Sequence, residues 1–188
     1  MQTNILWTGR EYYSLENCSV KTTETGSEIS AAIVGKYSEE LYRVQYQIIT
    51  NSNWETIYLE IKYWINGQER DIKFESNGNG RWTWNGKEQV QFQDCIDIDI
   101  PLTPFTNTLP IKRLDLKIGE QHQIKVLYLD LLEGKFTAVY QKYSRLSDTQ
   151  YHYENVPNDF EADITIDSQG FVVDYPSLFV RTAAIVTE

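Results

Sequence analysis

Hydrophobic and polar residues alternate along much of the chain. In 41–51, apolar residues occupy every second position, at Tyr42, Val44, Tyr46 and Ile48. A period of two is typical of a β-strand with one buried face and one face in water. The same alternation recurs in Ile57 to Ile65, in Ile96 to Ile100 and in Phe160 to Ile166. No window of comparable length has the 3.6-residue period of an amphipathic helix, so the pattern predicts an all-β protein.

Turn sequences separate the predicted strands at regular intervals. They are Asn66-Gly67, Asn77-Gly78-Asn79-Gly80, Asn85-Gly86, Gly119, Glu133-Gly134 and Gln169-Gly170. Asn-Gly is a strong signal for a tight hairpin. This spacing predicts ten to thirteen mostly antiparallel strands. Because a flat open sheet of that size would expose its edges and an apolar face, we expect a sheet that curls on itself.

One predicted strand is apolar on both faces. Residues 125–132 read Lys-Val-Leu-Tyr-Leu-Asp-Leu-Leu. In a rolled sheet, the inner face of such a strand lines a ligand pocket while the outer face packs under another layer. A strand that is simply central in a sandwich would have the same pattern, and periodicity leaves both alternatives open.

Composition sets the protein class and the domain count. A chain of 188 residues that is 41% hydrophobic and 23% charged is typical of one globular domain, and we expect that domain to cover residues 1–188. Thirteen tyrosines and five tryptophans supply rings with an apolar body and a polar edge. Such rings suit both sheets and ligand-lined surfaces.

Charge and targeting signals limit the partners. The net charge of −10 repels phosphate backbones, so we expect no nucleic acid partner. The first residues have no signal-peptide pattern and no later segment is long and apolar enough to span a bilayer, which predicts a cytoplasmic protein without a transmembrane segment. Cys18 and Cys95 are expected to be buried free thiols. The sequence does not predict the oligomeric state.

Several kinds of chemistry lack their motifs. The chain has no glycine-rich phosphate loop, no Gly-x-Ser-x-Gly, no Cys-x-x-Cys and no His-Glu-x-x-His. His122 and His152 are the two histidines, which is too few for a zinc site unaided. We therefore predict no cofactor and no bound metal.

A proline-rich segment follows the third apolar run. Pro101, Pro104 and Pro110 disfavour regular strand or helix between them, so we expect a stiff connection without secondary structure. Its polar residues can bond the backbone locally or contact a hydroxyl-rich ligand. These residues are Thr103, Thr106, Asn107 and Thr108.

This segment and its surroundings resemble the putative glycolipid-binding family of bacteria. The resemblance is carried by Gly80-Arg81-Trp82, Asn85-Gly86, the Cys-x-Asp-x-Asp run from Cys95, the Thr-Pro-Phe-Thr-Asn-Thr-Leu-Pro-Ile-x-Arg-Leu run from Thr103, Gln141-Lys142-Tyr143, Gly170, Tyr175-Pro176 and Arg181. At Ile57 the chain lacks an arginine expected of the family. The resemblance implies a spiral β-roll similar to bacterial lipoprotein carriers. It also implies a glycolipid or another lipid as the ligand.

The carboxylates Asp97 and Asp99 are two residues apart, so on a strand they share a face with α-carbons about 6.5 to 7 Å apart. That spacing admits an acid and base pair of a glycosidase, or a hard cation held with the help of Asp94. In the structural alternative, one carboxylate pairs with Arg113. The other then accepts hydrogen bonds from the backbone or a threonine and holds the proline-rich segment in shape.

Together these observations predict a β-roll that binds an amphiphilic small molecule. Apolar strand residues would surround the acyl portion, and polar residues would contact the headgroup. The candidate ligand-binding residues are Trp82, Asp97, Asp99, Thr103, Asn107, Thr108, Arg113, Gln141, Tyr143 and Tyr175. Simple packing is the structural alternative for Trp82 and Tyr143, and Tyr175-Pro176 is expected to end a strand. The alternative functions are a hydrolase using Asp97 and Asp99, and a scaffold protein without a small ligand.

Overall fold

The computed structural model of the protein describes residues 1–187. Within that range, fifteen strands form one sheet, and the chain adds one α-helix and one short 3-10 helix. The strands are β1 (Gln2–Gly9), β2 (Ser14–Thr22), β3 (Gly26–Tyr37), β4 (Glu40–Asn51), β5 (Thr56–Ile65), β6 (Gln68–Ser76), β7 (Trp82–Trp84), β8 (Lys87–Glu88), β9 (Asp97–Asp99), β10 (Gln121–Asp130), β11 (Lys135–Arg145), β12 (Gln150–Val156), β13 (Glu161–Ile166), β14 (Val172–Tyr175) and β15 (Phe179–Thr187). The 3-10 helix is Val90–Phe92 and the α-helix, α1, is Phe105–Leu114. The all-β prediction is confirmed.

The described part of the chain has fifteen strands, two more than the upper end of the predicted ten to thirteen. The short strands β7 and β8, of three and two residues, contribute to the difference. A period of two cannot be recognised over so few positions. The strand expected over Ile96 to Ile100 is observed as β9, Asp97–Asp99.

The chain starts in the middle of the sheet and meanders to one edge at β8. It then crosses to the opposite edge at β9 and meanders back to the middle at β15. The spatial order is β8-β7-β6-β5-β4-β3-β2-β1-β15-β14-β13-β12-β11-β10-β9. The pairs are antiparallel except that β9 runs parallel to β10. At the hairpin between β5 and β6, Asn66 and Gly67 have φ of 48° and 83°. These positive values fit the type I′ turn that the Asn-Gly pair predicts.

The sheet curls so that its two arms face each other. The ring of Phe136 on β11 lies 6.3 Å from that of Phe74 on β6 and 5.7 Å from that of Trp84 on β7. These residues belong to strands near opposite ends of the spatial order. Side-chain packing, and not a ladder between the edge strands, therefore brings the arms together, as the curled sheet predicted from the turn spacing requires.

Helix α1 contradicts the expectation that the proline-rich segment has no regular structure. Pro104 is its N-cap, Pro110 lies inside it, and Asp115 ends it with a left-handed backbone, φ 42°. Proline fits the start of a helix well because the first N–H groups have no helical partner. Residues 105–111 are all buried, so α1 has no apolar stripe facing one side and no helical period for sequence analysis to detect.

The core lies on both sides of β10. Leu127 and Leu129 belong to a large cluster with Phe105 of α1, while Ile124 and Val126 belong to a second cluster. Packed side chains thus cover both faces of the strand, but Tyr128 on it lines a cavity, so the strand has features of both alternatives offered by its pattern. Cys18 and Cys95 are buried free thiols, as predicted. No helix within residues 1–187 is long and apolar enough to cross a membrane.

Candidate functional site

A cavity of about 200 Å³ opens beside the first turn of α1. Its lining comes from the β1–β2 loop, from the segment that leads into α1, and from β9, β10, β12, β14 and β15. The lining residues are Glu11, Tyr12, Asp99, Pro101, Thr103, Asn107, Tyr128, Tyr153, Asn155, Phe160, Tyr175, Leu178 and Phe179. Four residues predicted from the sequence are therefore brought together here, namely Asp99, Thr103, Asn107 and Tyr175.

Asp99 lines the cavity and is fixed by hydrogen bonds to both of its carboxylate oxygens. Its Oδ2 accepts a 2.6 Å hydrogen bond from Gln141 Nε2, and its Oδ1 accepts a 3.1 Å bond from the Thr106 hydroxyl. The Thr106 oxygen in turn accepts from the Ile100 N–H at 3.3 Å. Burial raises the pKa of Asp99 above its ordinary value, and the bonds from Gln141 and Thr106 oppose that rise. All of the donors to this carboxylate are neutral.

Asp97 has a different environment although it is only two residues away. Arg113 Nη2 lies 2.6 Å from Oδ2 of Asp97, and Arg113 Nε lies 3.1 Å from both carboxylate oxygens. Asp97 is buried and does not line the cavity. The predicted structural arrangement is thus present: Asp97 forms an ion pair with Arg113, and Asp99 accepts a hydrogen bond from the Thr106 hydroxyl. Only Asp99 of the two faces the space where a ligand would lie.

Aromatic rings line one side of the cavity after another. The Tyr153 and Tyr175 rings are 6.1 Å apart, and Phe160 lies 6.1 Å from Tyr153 and 6.2 Å from Tyr175. Burial is the largest cause that raises the pKa of the Tyr128 and Tyr175 hydroxyls, and the negative charge of Asp99 raises both further. These tyrosines therefore stay neutral, and Asp99 is close enough to act on them electrostatically.

Three more candidates lie outside the cavity lining, and two of them contact it from behind. Tyr143 and Gln141 are each 1% exposed and lie outside the lining. The Tyr143 hydroxyl donates to Asn107 Oδ1 at 2.9 Å, and Gln141 donates to Asp99. Thr108 is fully buried, and its hydroxyl has no hydrogen-bond partner within the described part of the chain. Tyr143 and Gln141 thus orient Asn107 and Asp99 from behind the cavity wall.

Trp82 lies away from the cavity. Its ring is 1% exposed, packs edge-on against Phe74 at 6.2 Å, and donates from Nε1 to the Cys95 carbonyl at 2.6 Å. It is absent from the cavity lining. The structure therefore places Trp82 in the core, where it ties β7 to the segment before β9.

A neighbouring cleft of about 230 Å³ shares three walls with the cavity. Tyr12, Pro101 and Tyr128 line both spaces. The remaining walls of the cleft are Tyr37, Leu102, Asp130, Leu131, Leu132 and Glu133. The two spaces are thus adjacent, and the cleft has carboxylates, Asp130 and Glu133, as well as apolar side chains among its walls.

Sequence reasoning missed Glu16, which is 2% exposed on β2. Its Oε1 accepts from the Tyr46 hydroxyl at 2.6 Å and from the Thr103 hydroxyl at 2.9 Å, while Oε2 has no partner among the described residues. Burial raises the pKa of Glu16 to about 7. The position of Glu16 in the strand could have indicated its burial, because Glu16 shares the inward face of β2 with Ser14 and Cys18.

Other features give no metal site. Within residues 1–187, no group of three or more His, Cys, Asp or Glu side chains is arranged to hold an ion, and Asp94 does not join Asp97 and Asp99 in one.

On the outer surface of the sheet, Leu15, Val34 and Leu41 form an apolar patch on β2 to β4, with exposures of 46%, 53% and 66%. This patch is separate from the cavity lining.

Two solved structures are similar to this chain. A DUF1089 family protein from Pseudomonas aeruginosa has 30% identity and a TM-score of 0.79, over 88% of this chain and 91% of that one. A beta-barrel-like protein of domain of unknown function DUF1849 from Brucella abortus has 8% identity and a TM-score of 0.57, over 100% of this chain and 98% of that one. The second likeness concerns the fold alone. A comparison with curated proteins found no match. The model of the family described as putative glycolipid-binding matches residues 4–181, and the chain therefore belongs to that family.

Proposed function

We propose that the protein binds an amphiphilic small molecule, a glycolipid or another lipid, with the polar headgroup in the cavity beside α1. The observation that carries this proposal is the cavity itself, in which a carboxylate, two asparagines and several tyrosines converge on one space. Few polar groups among apolar and aromatic walls are characteristic of small-molecule sites. The description of the family supports a ligand of this class.

The size of the cavity limits what it holds. At about 200 Å³ it is smaller than the roughly 300 to 1,000 Å³ typical of pockets for drug-sized ligands. The interior around Phe105 and Leu109 is filled by packed side chains, so an acyl chain has no room among the strands. The neighbouring cleft past Tyr12 and Tyr128 provides a path for it. In this arrangement the headgroup lies inside the cavity and the acyl chain lies along the protein surface.

The test is to identify what accompanies the protein from its own host. Protein purified without detergent is analysed by native mass spectrometry and by organic extraction. We expect a lipid or glycolipid at stoichiometric level. Leu178→Trp, which places a larger side chain at the cavity wall, is expected to remove it, whereas Leu146→Trp, at an exposed position outside the cavity lining, retains it.

The alternatives predict other outcomes. A hydrolase using both aspartates requires two carboxylates at the substrate, but Asp97 is held by Arg113 and lies outside the lining. A scaffold protein without a small ligand would instead contact a partner through the apolar patch of Leu15, Val34 and Leu41. It predicts that the protein is purified free of lipid and that no lipid raises its thermal midpoint. Those two results together would disprove ligand binding.

A further inference from the structure

We propose that the headgroup bound in this cavity is cationic, and that Asp99 together with the surrounding aromatic rings forms a site for an organic ammonium group. The inference rests on the proposed function and narrows it from amphiphiles in general to those with a positively charged amine. It is carried by three features of the lining, which are its charge, its rings and the state of its other polar groups.

The charge of the lining is negative. Among residues 1–187, the charged side chains that line the cavity are Glu11 and Asp99, and no lysine, arginine or histidine joins them. Asp99 receives hydrogen bonds from Gln141 and Thr106 but has no ion-pair partner, in contrast to Asp97. A partly buried carboxylate without a countercharge is costly, and a ligand cation would supply that countercharge.

The rings supply the second part of an ammonium site. Six aromatic side chains line the same space. They are Tyr12, Tyr128, Tyr153, Phe160, Tyr175 and Phe179. The faces of aromatic rings attract cations through their quadrupole, most strongly when the cation is desolvated, and aromatic cages recognise quaternary ammonium groups in this way. A carboxylate beside such rings favours an ammonium ion over a neutral group of the same shape.

The amide groups of the two lining asparagines are largely occupied within the protein, which leaves fewer partners for the hydroxyls of a neutral sugar. Asn107 Oδ1 accepts from the Tyr143 hydroxyl at 2.9 Å. Asn155 Oδ1 accepts from Tyr153 at 2.6 Å, and Asn155 Nδ2 donates to Asp159 at 2.9 Å. A neutral sugar needs several free donors and acceptors around its hydroxyls. The charged acceptors that face a ligand here are the Asp99 and Glu11 carboxylates.

The experiment compares two probes with the same hydrocarbon chain, octyltrimethylammonium and octyl glucoside, by isothermal titration calorimetry below their micelle concentrations. We expect the wild-type protein to bind the ammonium probe about tenfold or more tightly than the glucoside, a difference of about 1.4 kcal/mol. Asp99→Asn should remove that preference. Asp163→Asn, which changes an exposed carboxylate outside the cavity lining, should retain it.

A second pair of variants tests the rings without changing any charge. Tyr128→Leu removes a cavity ring, so it should weaken binding of the ammonium probe more than binding of the glucoside, while Tyr128→Phe keeps the ring and the preference. These variants also keep the proposal testable if Asp99→Asn does not fold. Equal or tighter binding of the glucoside, or an ammonium affinity unchanged in Asp99→Asn and Tyr128→Leu, would overturn the cationic site. So would failure of the ammonium probe to bind. The proposed function itself is decided separately, by the lipid that accompanies the protein from its host.

Discussion

Arg113 donates three hydrogen bonds to Asp97, two from Nε at 3.1 Å and one from Nη2 at 2.6 Å. The Asp97 carboxylate is almost completely shielded from water. This ion pair connects the C-terminal turn of α1 to β9, the edge strand of the sheet. Helix α1 is thereby tied to the strand that carries Asp99. The position of the cavity wall thus depends on an interaction outside the cavity.

Removing the arginine should destabilise the protein strongly. Arg113→Ala leaves Asp97 buried without a partner, and loss of one member of a buried pair typically costs about 3 to 5 kcal/mol. Urea unfolding followed by tryptophan fluorescence measures this free energy. The control is Lys73→Ala, which breaks the exposed pair of Lys73 with Glu75 and should change stability much less. Similar losses for the two variants would contradict the structural role of Arg113.

Glu16 should make the protein less stable as the pH rises from 4.5 to 7. Burial raises the pKa of this carboxyl from 4.5 to about 7 in the folded protein. The folded state therefore binds the proton more tightly than the unfolded chain does, and stability falls with rising pH between these two values, by about 3 kcal/mol in total. The contribution is constant below pH 4.5 and above pH 7.

Glu16→Gln tests this dependence because the amide keeps an acceptor for Tyr46 and Thr103 but does not ionise. We expect the difference in unfolding free energy between Glu16→Gln and the wild type to shift in favour of the variant as the pH is raised from 5 to 8. Glu28→Gln, the same substitution at an exposed position on β3, is the matched control. A constant difference for Glu16→Gln would show that Glu16 does not titrate in this range.

Trp82 should matter for stability and not for binding. Trp82→Phe removes the N–H that bonds the Cys95 carbonyl and leaves that acceptor unsatisfied, at a cost of about 1 to 3 kcal/mol. Affinity for octyltrimethylammonium should stay within about twofold, equivalent to less than 0.5 kcal/mol. Trp64→Phe, at a half-buried ring stacked by Arg43, is the matched control and should cost less stability. A large loss of affinity in Trp82→Phe would place this residue in the ligand site after all.

Binding of the ammonium probe should weaken on acidification. Burial raises the pKa of Asp99, so its carboxylate loses charge at a higher pH than an exposed aspartate does. The probe carries a permanent charge, and any pH dependence therefore reports on the protein. Affinity should be fully present above the pKa of Asp99 and fall as the pH drops through it, while affinity for octyl glucoside changes little.

Two variants separate Asp99 from its neighbours in this titration. Asp99→Asn should bind the probe weakly at every pH, and Glu11→Gln, which removes the other lining carboxylate, should keep the pH dependence. Calorimetry is accompanied by circular dichroism at each pH to confirm that the protein remains folded. Affinity that does not change with pH in the wild type would contradict the assignment of Asp99.

The alternation of apolar and polar residues by itself determined the sheet. The strand predicted over 41–51 is observed as Glu40–Asn51, and the Asn66-Gly67 turn is where it was expected. These features are local, because the pleat of a strand and the backbone of a turn depend on a few consecutive residues. The pairing of Asp97 with Arg113 was also within reach of the sequence, since the two lie only 16 positions apart.

Only the tertiary structure decided where α1 lies and what surrounds the cavity. The helix escaped detection because it is buried on all sides and begins and continues through prolines. Tyr12, Asp99 and Tyr175 meet in one wall because β1 pairs with β15 and the sheet then curls, and nothing local to any of them indicates that meeting. Glu16 and Thr103 likewise bond across 87 positions. Contacts of this kind follow from the register and curvature of the whole sheet, which depend on all strands together.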